Sequence, residues 1–194
     1  MPWSEDHKSQ TRVRILEAAA RSFTRHGFDG ASIDDIMRQA GLTRGAFYAH
    51  FDSKGELYAR ALRYAAREGV ARVGLESDPR ARMALYLSET HLRSEGLLCP
   101  LACLVSDVAQ QDEQVRDTYT RLLEGFIAFY AGQPDPNSPA RRQALQQAVT
   151  MIGGMAIART LTDPALADEL LEACRELAAS LLPEQASWSM PSDA

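Results

Sequence analysis

The chain has 194 residues, 45% of them hydrophobic and 24% charged, and a formal net charge of −5, ordinary values for a globular protein able to bury a sizeable core. This excludes a chain basic throughout, yet residues 1–65 hold 10 Lys and Arg against 8 Asp and Glu while residues 66–194 hold 11 against 18, so a slightly basic head precedes an acidic body. Three cysteines do not make a disulfide framework, the first ten residues carry no apolar secretory core, and no apolar run reaches the ~18 residues that span a bilayer, so a cytoplasmic location is expected.

Residues 9–26 predict a first helix with Val13, Leu16, Ala20 and Phe23 on one face, Ile15 and Ala19 alongside, ending at Gly27. Ser32 caps a second helix whose apolar positions Ile33, Ile36, Met37 and Ala40 fall at i, i+3, i+4 and i+7, the spacing of one helical face. The acidic pair Asp34-Asp35 suits the positive end of that helix. Gly41 supplies the left-handed residue that stops it, Leu42 points inward from the turn, and Thr43 caps a short third helix buried through Phe47 and Phe51. Helix, three-residue turn with glycine, helix is the spacing of a helix-turn-helix. Its second helix presents Thr43, Arg44, Tyr48 and His50 outward, side chains able to bond phosphates or base edges. Ser53-Lys54-Gly55-Glu56 is a capping box that opens a long helix to about residue 76, with Leu57, Ala61, Tyr64 and Ala65 facing inward. No linker separates this helix from the body, so a tilt of its far end moves the helix-turn-helix packed against its start.

Breaks at Asp78-Pro79, Gly96 to Pro100, Gly132 to Pro139 and Asp163-Pro164 delimit further helices near 80–95, 100–111, 113–131, 139–160 and 164–182. The first three of these carry Tyr86, Cys99, Cys103, Tyr119, Phe126, Phe129 and Tyr130, which with Met151 and Met155 could line an apolar pocket or fill a solid core. Cys99 and Cys103 flank Pro100 at a helix start, a place that favours thiolate, although two small apolar core side chains is the plainer reading. The last two helices are apolar over an unusually wide arc that includes Val149, Ile152, Met155, Leu166, Leu170 and Leu177, as a face shared between core and partner subunit would be. No nucleophile elbow, phosphate-binding glycine loop or zinc-binding helix motif is present, and the four histidines are scattered. Neither catalysis nor a metal or cofactor is expected.

The run from Thr11 to Leu62 resembles the N-terminal domain of the TetR family of transcriptional regulators. The resemblance rests on G-F-x-x-A-S-I-x-x-I at 27–36, A-G-L-T-R-G-A-F-Y-x-H-F at 40–51 and S-K-x-E-L at 53–57. It implies an all-α chain of about nine helices. Residues 1–56 would form a three-helix helix-turn-helix DNA-binding domain, residues 57–186 a helical ligand-sensing and dimerisation domain, and residues 187–194 a tail. It further implies a homodimer built on the last two helices, and a pseudo-palindromic operator released when a small apolar ligand binds, or when Cys99 or Cys103 is oxidised or modified by an electrophile. By matching position, Arg44 would read a base through its planar fork, and Thr43, Tyr48, His50 and Lys54 would meet phosphates. Ser32 would do so through its own cap, while Gly45 offers only backbone or close approach. In the family fold Arg12 and Arg14 lie near the DNA side, where they either touch phosphate or stay solvated. A helical enzyme or carrier that retains a helix-turn-helix as scaffold is the competing class.

Overall fold

The computed structural model describes residues 5–73 and 78–182, all of whose regular elements are helices. The expected tail from 187, Trp188 and the far end of the long helix beyond 73 lie outside the described residues. The head comprises α1 (Glu5–Gly30), α2 (Ile33–Gln39), α3 (Arg44–Tyr48) and the start of α4 (Lys54–Val73). The body follows with α5 (Pro79–Tyr86), α6 (Glu89–Leu92), α7 (Pro100–Cys103), α8 (Val105–Val108), α9 (Glu113–Ala131), α10 (Pro139–Ala158) and α11 (Pro164–Ser180). Two helices expected from sequence are each divided. Ser88 caps a new helix after Leu87, accepting from the His91 N–H at 3.1 Å, and Leu104 turns extended in φ (−121°) between α7 and α8.

Helix starts follow the expected chemistry: Asp78, Ser88, Asp112, Ser138 and Asp163 each accept a backbone N–H two or three residues on. In the head, the Asp35 N–H donates to Ser32 Oγ (3.0 Å) and the Glu56 N–H to Ser53 Oγ (3.0 Å). Gly41 takes φ +65°, which lets the Leu42 N–H reach back to Met37 O (2.9 Å) and reverse the chain. The buried face of α1 is rotated from the expected one. Ile15, Ala19, Ala20 and Phe23 are wholly buried, whereas Val13 is 46% exposed, because spacing by four and eight from Ile15 tracks the groove over α4 more closely.

Helix α4 packs on α1 at its start and on α9 beyond, so it belongs to head and body at once. One core contains Ile15, Phe23, Ile36, Phe47, Phe51, Leu57, Tyr58 and Leu62 from the head, and also Leu104, Val108 and Val115 from the body. A second core holds Met83, Tyr86, Leu87, Tyr130, Met151, Met155 and Leu171. There α10 and α11 pack so closely at Gly154 that an added methyl would lie 2.5 Å from Cys174 Sγ. No described helix is long and apolar enough to cross a membrane.

One carboxylate ties body to head. Asp107 on α8 accepts the Phe28 N–H (3.0 Å) and the hydroxyl of Tyr58 on α4. The approach requires Gly27, which kinks α1 at φ +71° and where a methyl group would stand 2.8 Å from the Asp107 oxygen. Tyr58 also meets the edges of Phe23 and Phe28, with ring centroids 4.7 and 5.2 Å away. Asp107→Ala leaves a backbone N–H and a phenol without their acceptor. It should lower the unfolding free energy by about 1–3 kcal/mol, seen as an earlier urea midpoint at unchanged slope. A midpoint unchanged from wild type would show that water replaces the carboxylate at no cost.

Candidate nucleic-acid interface

Helix α3 is amphipathic within five residues because Phe47 goes inward. Phe47 is wholly buried and stacks on Phe51 at 6.0 Å, and that anchor leaves Thr43, Arg44, Gly45 and Tyr48 exposed. Thr43 occupies the cap position of α3 but makes no capping bond through its side chain, so its hydroxyl is not consumed by the helix. Arg44 is 60% exposed and donates from Nη1 to Asp34 Oδ2 of α2 at 2.8 Å. Tyr48, and then the Asp34 charge, hold its pKa above the ordinary value, so the guanidinium is permanently charged.

The remaining predicted contacts are arranged less simply. Ser32 already donates to Asp35 Oδ2 (2.6 Å) while accepting that residue's N–H, and this bond, followed by the charge of Arg38, lowers the Asp35 pKa. The Lys54 ammonium lies 4.4 Å over the Phe28 ring, a cation–π contact that holds it at the first residue of α4. His50 is partly buried, with a buried Nδ1 that has no partner among the described residues. Burial, then the nearby Arg12 and Lys8 charges, push its pKa down, so the ring is neutral at physiological pH. Arg12 and Arg14 each have an acceptor within the head. Arg12 donates to His50 O (2.8 Å) and covers the Phe51 ring, and Arg14 donates to Ala40 O (2.6 Å). Both tie the ends of α2 and α3 to α1. Asp34 is the residue sequence reasoning missed. Its place at a helix start explained it already, and nothing in the spacing marks a partner ten residues on.

In the body, Tyr86, Cys99, Phe126, Met151 and Met155 come together in the second core. Tyr86 donates to Cys99 Sγ (3.3 Å) and meets Phe126 and Tyr130 edge-on. Cys103 and Tyr119 are not part of that group but pack against the head core, the Tyr119 hydroxyl donating to Leu101 O at 2.7 Å. Of the two readings of the thiols, burial favours the plainer one, small side chains of the core. Helix α7 is only four residues long; burial pushes the Cys99 thiol up, outweighing the Tyr86 hydroxyl and the Ala102 and Leu101 N–H groups, and pushes the Cys103 thiol up to about 11 against a smaller pull from Arg159.

Along α10 and α11, Val149, Leu166 and Leu177 are exposed at 72%, 48% and 52%, and a groove runs between Leu145, Val149, Leu177 and Leu181. Ile152 and Leu170 are half-buried beside them. Met155, expected on this face, is instead wholly buried in the chain's own core, because its position on α10 turns toward Leu171 and Tyr86.

The family profile described as bacterial regulatory proteins, tetR family, matches residues 15–61. The chain is 29% identical over 134 residues to the HTH-type transcriptional regulator YfiR of Bacillus subtilis, itself uncharacterized, covering 66% of this chain. It is 29% identical over 145 residues to the HTH-type transcriptional regulator TtgR of Pseudomonas putida, covering 72% of this chain. The head of the chain is thus a match to the TetR family. The chain spans 65% and 60% of the lengths of those two relatives. The TetR fold extends over nearly the whole chain: the crystal structure of reduced Escherichia coli NemR superimposes with a TM-score of 0.72 at 20% identity, covering 91% of this chain and 99% of that one.

For the thiols, a folded pKa of about 11 at Cys103 against an ordinary ~8.5 leaves the thiolate roughly two orders of magnitude scarcer at pH 7. Alkylation of Cys103 by iodoacetamide should therefore be slow at pH 7 and accelerate tenfold per pH unit up to about pH 10. A rate at pH 7 equal to that of a free thiol would contradict the burial.

Proposed function

We propose that the chain is a sequence-specific DNA-binding transcriptional repressor that acts in the cytoplasm as a homodimer. It would bind a pseudo-palindromic operator and let go when a small apolar ligand occupies the body. The observation that carries this reading is the exposed row Thr43, Arg44 and Tyr48 on a helix pinned from behind by the buried Phe47. A helix so presented fits the major groove. Arg44 is the base reader in this scheme. Thr43, Tyr48 and Lys54 meet phosphates, Ser32 and His50 stand at the margin, and Gly45 lets the backbone approach. The exposed apolar row of Val149, Leu166 and Leu177 favours a symmetric interface between copies of α10 and α11. Two such heads would stand one helical turn of DNA apart, about 34–36 Å, or a multiple of it.

The aromatic and thioether cluster around Tyr86 and Met155 supports an apolar ligand. Such a ligand lowers operator affinity only if it prefers the conformation that binds DNA poorly. The coupling is reciprocal, so a typical strength of about 1–3 kcal/mol weakens both affinities by the same factor of roughly 5 to 150. Modification of Cys99 or Cys103 is the second reading of the signal. The proximity of Tyr86 to Cys99 favours a linked response, and the raised thiol pKa values weigh against it at neutral pH. The head of this scheme is residues 1–56, the sensing and dimerising body 57–186.

Selection of bound fragments from genomic DNA, followed by titration, tests the reading. Arg44→Ala should cost about 1–3 kcal/mol and relax preference at one base pair per half-site. Lys54→Ala should weaken all sequences alike and lower the salt slope by about one. No selective retention of any fragment would remove the proposal, and exchange of the two effects would reverse the assignments.

A further inference from the structure

Helix α2 carries two adjacent carboxylates with different partners. Asp35 is consumed locally, by the Ser32 hydroxyl and by Arg38 one turn on. Asp34 reaches across the turn to α3, where its Oδ2 takes the Nη1 donor of Arg44 at 2.8 Å. Both side chains of that pair are 60% exposed, and an ion pair so placed contributes little to folding. Its consequence is geometric. A guanidinium offers five N–H donors in a rigid plane, and an acceptor at Nη1 leaves the edge formed by Nε and Nη2 with two parallel donors. Two parallel donors are what guanine O6 and N7 accept. A long arginine that is already oriented loses less freedom on binding than one that is free in solution. Tyr48, one turn along α3 and also 60% exposed, flanks the same guanidinium.

A carboxylate on a surface meant for phosphates has a cost, because it repels every DNA sequence equally. Its position is therefore informative: that uniform repulsion has to be offset by something that depends on sequence. We propose that Asp34 is a specificity-determining residue, a carboxylate that holds the Arg44 fork with its free edge toward a guanine. Asp34 is thus a positioning residue acting through Arg44, and the inference rests on the DNA-reading function proposed above.

The test is a binding-site selection from randomised double-stranded DNA, followed by titration of the four bases at the pair where Arg44→Ala relaxes preference, at one fixed salt concentration. With Asp34→Ala, guanine preference at that pair should fall at least fivefold while ratios at all other pairs stay within twofold of wild type. Asp34→Asn keeps an acceptor without the charge and should lie between. The double variant Asp34→Ala with Arg44→Ala should match Arg44→Ala alone at that pair, since Asp34 acts only through the arginine. A merely structural role would lower affinity for all sequences without moving the ratio, and a thermal midpoint for each variant identifies that case. Three results overturn the inference alone: tighter binding to all sequences with the guanine ratio unchanged, which makes Asp34 only a repelling charge; a lost preference at a different pair, which makes it a direct reader of cytosine; or equal effects of Asp34→Ala with and without Arg44. A wild-type protein that selects no sequence overturns both this inference and the function on which it rests.

Discussion

Helix α4 has to satisfy two sets of neighbours with one apolar face. Leu57, Tyr58, Ala61, Leu62 and Ala65 are all buried, and the core they enter includes Phe23 and Phe47 on one side and Leu104, Val108 and Val115 on the other. Close-packed interiors transmit displacement rather than absorb it, so α4 cannot tilt within the body and leave the head undisturbed. Asp107 sharpens the connection. Its two bonds join α8 to the kink of α1 and to α4, and the Phe28 ring beside that kink carries the Lys54 ammonium. A body residue is thereby two contacts away from a side chain proposed to meet phosphate.

The segment between α5 and α7 joins the same mechanical unit by a different route. Only the four-residue α6 gives it regular structure, so many of its carbonyls lack helical partners. Arginines from four helices supply them. Arg25 of α1 donates to Glu95 O, Arg72 of α4 to Leu97 O (2.6 Å), Arg159 at the C-terminal cap of α10 to His91 O (2.8 Å) and Arg175 of α11 to Leu87 O (2.5 Å). Charged donors make such bonds stronger than neutral ones. The segment is thus fastened at once to the head, to the long shared helix, to the end of α10 and to α11. This also accounts for part of the arginine content that composition alone would assign to solvent.

Sequence reading succeeded where a local rule was sufficient. Ser32, Gly41 and Ser53 sit where capping and left-handed geometry demand, and Phe47 and Phe51 are buried at the spacing that marked them. It failed where the deciding partner lies far along the chain. The face of α1 was misjudged at Val13 because a wide apolar arc does not say which third of it meets α4. Asp34 was assigned to a helix dipole because its partner Arg44 lies 10 residues away, and no local spacing marks the bonds of Arg12 and Arg14 to His50 and Ala40, 38 and 26 residues away. Met155 matched two patterns, pocket and interface, and only packing decides between them. For the thiols two readings stood open, a helix N-terminus and small core side chains, and desolvation favours the second, plainer one.

These connections make a specific demand on the proposed dimer. If α10 and α11 pair two copies, the shared core fixes each α3 relative to the pair, and the two reading helices have one preferred spacing along DNA. Footprinting on a genomic fragment selected by the protein measures this directly, with about five and then about ten base pairs inserted between the protected half-sites, one half and one full turn of the duplex. The account predicts that the half-turn insertion abolishes simultaneous protection of both half-sites, because it places them on opposite faces, and that the full-turn insertion restores facing without restoring full affinity. Equal protection at every spacing, or a single protected half-site on the selected fragment, would contradict it.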